Sequence, residues 1–197
     1  MTADLASRPA RERLLAAAGD LFYERGIAAT GVDAVLARAG VSPATMYAHF
    51  EGKEGLVAAY LQDRHEAWRA TWDEVLAERD DPRERLLSVF DALERYRQRA
   101  GNRRGCAFLA AATELPPDHA AQRWLAADSR LLVDRLRELA AATGAHDPVE
   151  VAGTLLLLYD GALNRYARAA TTPALPVDDA LASARGLAGQ ALAVLLP

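Results

Sequence analysis

Residues Thr30 to Lys53, TGVDAVLARAGVSPATMYAHFEGK, constrain the fold more than any other stretch of the chain. They spell two short helices joined by a tight turn. Thr30 is a suitable N-cap, and Asp33 stands three residues on, close to a capping box. Val32, Val35 and Leu36 then supply an apolar face at helical spacing. Gly40 ends that run, and glycine accepts the left-handed backbone that a sharp inter-helix turn demands. Val41 is placed to plug between the helices. Ser42 is the next cap, and Pro43 fits the first helical position, where a missing N–H loses nothing. Ala44 to His49 complete about two turns, with Met46 and Phe50 facing a core and Thr45 and Tyr47 facing outward. A helix this short is marginal alone in water, so packing has to hold it.

The outward face suits a DNA duplex. The hydroxyls of Thr45 and Tyr47 can donate to phosphate, as can the N–H groups at the helix start. Ser42, Pro43 and Ala44 are small enough to let that end approach base edges, and Ala44 can touch a thymine methyl. Lys53, the only lysine in the chain, opens the following helix. Taken singly, each residue has a plainer reading: Thr30 and Ser42 as caps, Tyr47 as a half-buried aromatic, Lys53 as a solvated charge. Their combination at this spacing points to nucleic-acid recognition.

The run GVDAVLARAGVSPATMYAHFEGKEGLVAAYL resembles the signature of TetR-family transcriptional regulators. The likeness extends back through Leu14, Leu15, Ala18, Leu21, Phe22 and Gly26. A small residue followed by Tyr47, His49–Phe50 and Lys53 marks that family among helix-turn-helix proteins. Ala44 is a mild departure. Gly52 stands where a serine often caps the next helix, and glycine serves there slightly less well. The resemblance implies an all-α chain with a three-helix DNA-binding head (1–53) and an effector-binding and dimerisation part (54–197). It implies DNA contacts at Thr30, Ser42, Pro43, Ala44, Thr45, Tyr47, His49 and Lys53. The implied partners are double-stranded DNA with a palindromic operator, a small-molecule effector and a second copy of the chain.

Composition narrows the alternatives. At 197 residues, a quarter of them charged and half apolar, the chain is of ordinary soluble composition and can bury a full core. The net charge is −4, yet residues 1–53 carry six basic and six acidic side chains, so the remainder carries the imbalance. DNA affinity then depends on locally placed donors rather than on a global field. The start MTADLASRPARER is polar, and VAGTLLLLYDGAL is interrupted by Asp160 and glycines. Neither a leader nor a membrane span is expected, and a cytoplasmic location follows. One cysteine excludes an intramolecular disulfide. His49, His65, His119 and His146 lack metal-ligand spacing, and no phosphate loop or nucleophile elbow is present. No metal, cofactor or catalytic residue is expected, and the chain reads as a non-enzyme.

After Lys53 the periodicity predicts helices throughout, about nine in all. A long one runs from Glu54 to about Glu78, and another opens at Asp81–Pro82 and breaks at Gly101–Asn102. A short apolar helix from Gly105 reads as buried. Others run to about Ala142, from Asp147–Pro148 to about Ala169, and from Val177 to Leu195 after a Thr171–Pro176 loop. Val151, Leu155, Leu158, Tyr159, Ala162 and Leu163 form one face of the penultimate helix. Leu181, Ala184, Leu187, Ala188, Ala191, Leu192 and Leu195 form another on the last, with Gly186 and Gly189 allowing close approach. These two faces are the expected homodimer surface. Trp68, Trp72, Phe90, Tyr96, Phe108, Trp124 and Tyr159 are the expected effector-pocket aromatics, with polar pointers at Asn164, Asp160, Thr113 and His65. A mainly apolar effector with one or two hydrogen bonds, releasing a repressor from DNA, is the expected mode. One alternative is redox sensing at Cys106 beside Arg103 and Arg104, against which stands a small buried thiol. Another is a helical small-molecule-binding protein without DNA binding.

Overall fold

The computed structural model describes residues 8–100, 106–169 and 180–197. Among them are nine helices and no strand: α1 Ala10–Arg25, α2 Val32–Ala39, α3 Pro43–His49, α4 Gly52–Ala77, α5 Pro82–Ala100, α6 Ala107–Glu114, α7 Gln122–Ala142, α8 Pro148–Ala169 and α9 Ala180–Leu195. The Gly101–Asn102 break, Arg103, Arg104, Gly105, the Thr171–Pro176 loop and Val177 lie outside the described residues.

Side chains that cap backbone set three of the helix starts. Ser42 Oγ accepts from the Thr45 N–H at 3.2 Å. Asp81 Oδ1 accepts from the Glu84 N–H at 2.9 Å, and Asp147 Oδ1 from those of Val149 and Glu150 at 2.9 and 3.0 Å. A proline follows each cap, where its fixed φ is already helical. The turn between α2 and α3 rests on Gly40, whose φ of 63° and ψ of 43° are left-handed.

Two expectations change. Thr30 does not cap α2: Gly31 holds that position with no side-chain bond. Thr30 is buried, and its hydroxyl donates inward to the carbonyls of Gly26 at 2.7 Å and Leu21 at 3.3 Å. A threonine that can tie the preceding loop to α1 gains more buried hydrogen bonding than one capping at the surface. The short apolar helix α6 is not buried either. Only Ala111 is fully enclosed, while Leu109 is 48% exposed. Alanine carries too little apolar area for its composition to dictate burial.

The described chain forms two compact units. The first comprises the residues up to His65 with Ala107–Ala126, and the second the described parts of 66–106 and 127–197. The chain passes from the first to the second inside α4. Each unit has its own core. Leu14, Phe22, Val35, Met46, Leu56 and Leu61 lead the first, joined by Ala111 of α6 and by Ala121. Trp72, Phe90, Leu136, Leu155 and Leu192 lead the second.

Candidate nucleic-acid interface

The recognition candidate α3 is held from beneath by two side chains. Met46 is fully buried, and Phe50, the residue at the helix end, is 7% exposed. Their placement leaves Ser42, Pro43, Ala44, Tyr47, Ala48 and His49 on the solvent side. Tyr47 is 63% exposed, leaving its ring and hydroxyl open to solvent. Thr45 is only half-exposed, because its hydroxyl lies 2.9 Å from that of Ser42 and the pair closes the first turn. Thr45 is thus on the outer side, but its hydroxyl is shared with Ser42. Thr30 is likewise unavailable in this conformation, since its side chain is enclosed.

Lys53 sits in the first turn of α4 and donates from Nζ to the carbonyl of Ala28 at 3.4 Å. Gly52 just before it has a φ of +81°, which explains glycine where a serine cap would be strained. Arg13 Nη1 reaches the Gly40 carbonyl at 3.4 Å and braces the turn, while Arg38 pairs with Asp20 at 3.1 Å. Arg11 places its guanidinium carbon 5.6 Å from the centre of the Phe50 ring, adding a cation beside the end of α3.

A further residue joins this site from far along the chain. Glu114, at the end of α6, accepts from the Ala28 N–H through Oε2 at 2.6 Å. Sequence reading misses it because 86 residues separate the partners.

The geometry matches what the comparisons return. The family model for bacterial regulatory proteins of the tetR family matches residues 14–60, which spans α1 to the first turns of α4. A solved structure from Streptomyces avermitilis, described as a TetR transcriptional regulator, is 36% identical at a TM-score of 0.71, covering 92% of this chain and 99% of that one. The chain belongs to the TetR family. A TetR-family regulator from Streptomyces coelicolor has a TM-score of 0.83 at 29% identity, with 94% and 95% of the two chains covered. Among curated relatives from Mycolicibacterium smegmatis, the transcriptional repressor KstR2 is 33% identical over 94 residues, 47% of this chain and 46% of that protein. The transcriptional activator FasR is 37% identical over 82 residues, 42% and 37% of the two. The chain thus spans less than half the length of these curated relatives in the matched region.

In this TetR-family chain the aromatic residues expected around an effector divide between the units. Trp68 has Trp72, Tyr96 and Tyr159 around it at ring-centre distances of 5.4, 5.8 and 6.2 Å, with Phe90 in the same core. Trp72 Nε1 donates to the buried Ser88 hydroxyl at 3.0 Å. Trp68 Nε1 is buried with no hydrogen-bond partner among the described residues. Burial pushes the Tyr159 phenol well above its usual range, and its acidic neighbours Cys106, Asp128, Asp160 and Tyr96 push the same way. Phe108 and Trp124 instead pack against the core of the first unit, where Trp124 lies 5.9 Å from His65. Asn164, Asp160 and Thr113 are exposed. On their helices these polar residues mark the outer side, whereas the fourth pointer, His65, is buried.

Much of the faces of α8 and α9 expected at the dimer surface turns inward. Val151, Leu155, Tyr159, Ala162 and Leu163 pack with Leu181, Ala184, Ala188 and Leu192 inside their own unit. Leu157 on α8 and Val194 on α9, outside those faces, are 76% and 84% exposed, and Leu187, a member of the expected α9 face, is 53% exposed. Nothing lies within 4 Å of where side chains at Gly153, Gly161 and Gly186 would begin. Among the described residues, no helix is long and apolar enough to cross a membrane.

Proposed function

We propose that this TetR-family chain is a cytoplasmic, ligand-responsive repressor that binds a palindromic duplex operator as a homodimer and is released by a small, mainly apolar effector. The observation that carries the reading is the solvent-facing side of α3: a capped N-terminus, three small residues and an exposed tyrosine on a helix anchored by Met46. In a major groove, Pro43 and Ala44 approach base edges, while Ser42, Tyr47, His49 and Lys53 supply donors to phosphate. A seven-residue helix reads few base pairs. Two copies whose α3 helices lie about one DNA turn apart, ~34–36 Å, supply the missing affinity and specificity.

The dimer reading rests on the outer sides of α8 and α9. Leucine and valine side chains project there beside glycines that permit close approach between helices, which suits a two-fold four-helix interface. The effector reading rests on Trp68, Trp72, Phe90, Tyr96 and Tyr159. Their surface is apolar, and the Trp68 N–H is a donor awaiting an acceptor oxygen. An effector acts only through different affinities for the DNA-bound and released conformations. KstR2 carries a repressor's name and FasR an activator's, so the direction of control is tested separately from DNA binding.

The test is selection of duplexes from a randomised pool at low ionic strength, followed by reporter expression from the selected site. Enrichment of a palindrome and reduced reporter output are expected. Tyr47→Ala should weaken binding, and Lys53→Ala should reduce the slope of log affinity against log salt by about one per protomer. An unenriched pool refutes the function. Unchanged affinity and slope in both variants refute the contacts.

A further inference from the structure

The loop between α1 and α2 is held from three sides within the first unit. From within, the Thr30 hydroxyl donates to the Gly26 carbonyl at 2.7 Å. From α4, Lys53 Nζ donates to the Ala28 carbonyl at 3.4 Å. From α6, Glu114 Oε2 accepts from the Ala28 N–H at 2.6 Å. Ala28 is therefore gripped at both of its backbone polar groups, by an acid from one helix and by the chain's only lysine from another.

The grip is shaped at Gly26. Its φ of +87° turns the chain out of α1, and a side chain there would begin 3.0 Å from Glu114 Oε1 and 3.2 Å from Oε2. The carboxylate lies against the bare glycine backbone. The rest of α6 is lightly fixed: Ala111 is buried, whereas Leu109, Ala110, Ala112 and Thr113 are exposed. Besides Ala111, only the half-buried Ala107 and Phe108 of α6 pack on the core, all on its apolar side, so a short charge-assisted hydrogen bond at its polar end adds weight to its positioning.

We propose that Glu114 is the positioning residue that couples α6 to the DNA contact. By holding the Ala28 amide it fixes the loop whose carbonyl engages Lys53. A shift of α6 therefore alters how Lys53 is presented, and engagement of Lys53 by phosphate alters the restraint on α6. Coupling of this kind is reciprocal: whatever α6 does to DNA affinity, DNA does to α6. The inference rests on the DNA-binding reading above, and it adds a specific side chain as the link.

Reciprocity permits a test that needs no effector. Hydrogen exchange is followed on the full chain with and without a duplex recovered from the selection, in wild type, Glu114→Ala and Glu114→Gln. In wild type, duplex binding should change exchange across Ala107–Glu114 by about 5-fold or more. In Glu114→Ala the Ala28 amide should lose protection, and the DNA-induced change in α6 should fall to less than about 2-fold while the duplex still binds. Glu114→Gln retains a side-chain oxygen that can accept from the Ala28 N–H, so it should restore much of both effects. Should Glu114→Ala not fold, Glu114→Asp, one methylene too short to reach, takes its place. Wild type that binds the duplex with no response in α6, or an Ala or Asp variant that keeps the full response, overturns the proposal. Wild type that binds no duplex overturns the underlying DNA-binding reading instead, and affinity alone tells these failures apart.

Discussion

Replacing Gly26 by alanine tests the loop at the centre of the head. Gly26 has φ 87° and ψ 160°, a region essentially reserved for glycine, and holding an L-residue there costs about 1–3 kcal/mol. The added methyl would lie 3.0 Å from Glu114 Oε1, so the carboxylate must give way. Its other oxygen accepts from the Ala28 N–H, and weakening that exposed bond costs roughly 1 kcal/mol. Alanine also narrows the unfolded ensemble, which offsets about 0.4–1 kcal/mol. The net expectation is that the head loses about 1–3 kcal/mol.

The assay is native-state hydrogen exchange, because a denaturation curve of the whole chain mixes two units. Buried amides of α1 to α3 should exchange about 5 to 150 times faster in Gly26→Ala, with little change in α8 and α9. A double-mutant cycle with Glu114→Ala separates the two causes. Without the carboxylate only the backbone strain remains, so the coupling energy should be about 1 kcal/mol. A neutral or stabilising Gly26→Ala would refute the assigned backbone conformation. Strictly additive costs would refute the contact with Glu114.

Three other outcomes are expected. Ser42→Ala removes the cap of α3 and its contact with Thr45, at a cost of about 1 kcal/mol localised to the head, read by hydrogen exchange at Thr45 and Met46. Leu157→Glu with Val194→Glu should give a folded monomer, seen as a halved mass by sedimentation with an unchanged far-ultraviolet spectrum; a retained dimer would exclude the outer sides of α8 and α9. Ser88→Ala leaves the buried Trp72 N–H without its acceptor, costing about 1–3 kcal/mol and lowering the melting temperature by several degrees in a scanning experiment.

Much of this architecture is legible in the sequence because it is written in short-range chemistry. The Ser42–Pro43, Asp81–Pro82 and Asp147–Pro148 starts follow from caps that bond two or three residues away, and Gly40 follows from a local backbone requirement. Met46 and Phe50 are found by spacing alone. What escapes are choices between partners of equal chemical merit. Thr30 can cap a helix or bond backward, and only the packed loop selects the second. The helices α8 and α9 are apolar on two sides, and periodicity does not say which side meets its own chain. Val151 and Leu155 turn in while Leu157 and Val194 stay out. Glu114 looks like any helix-terminal acid until the fold brings it to Ala28.

The charges of the head bear on how it would read DNA. Three of its six cations are engaged by the chain itself: Arg38 with Asp20, Arg13 with the Gly40 carbonyl, Lys53 with the Ala28 carbonyl. The Lys53 bond is long at 3.4 Å, so exchanging a carbonyl for a phosphate gives up little and gains a full charge pair. With half of its cations engaged within the chain and a net charge of −4, sequence-independent attraction is expected to be weak. On the proposed function, discrimination would then fall to the close approach of Pro43 and Ala44 to base edges and to the spacing of two heads. A protein built this way gains little from added nonspecific charge. On the proposed function its affinity would depend instead on how the start of α4 presents Lys53, and under the proposal above a single carboxylate at the end of α6 would then have leverage over it.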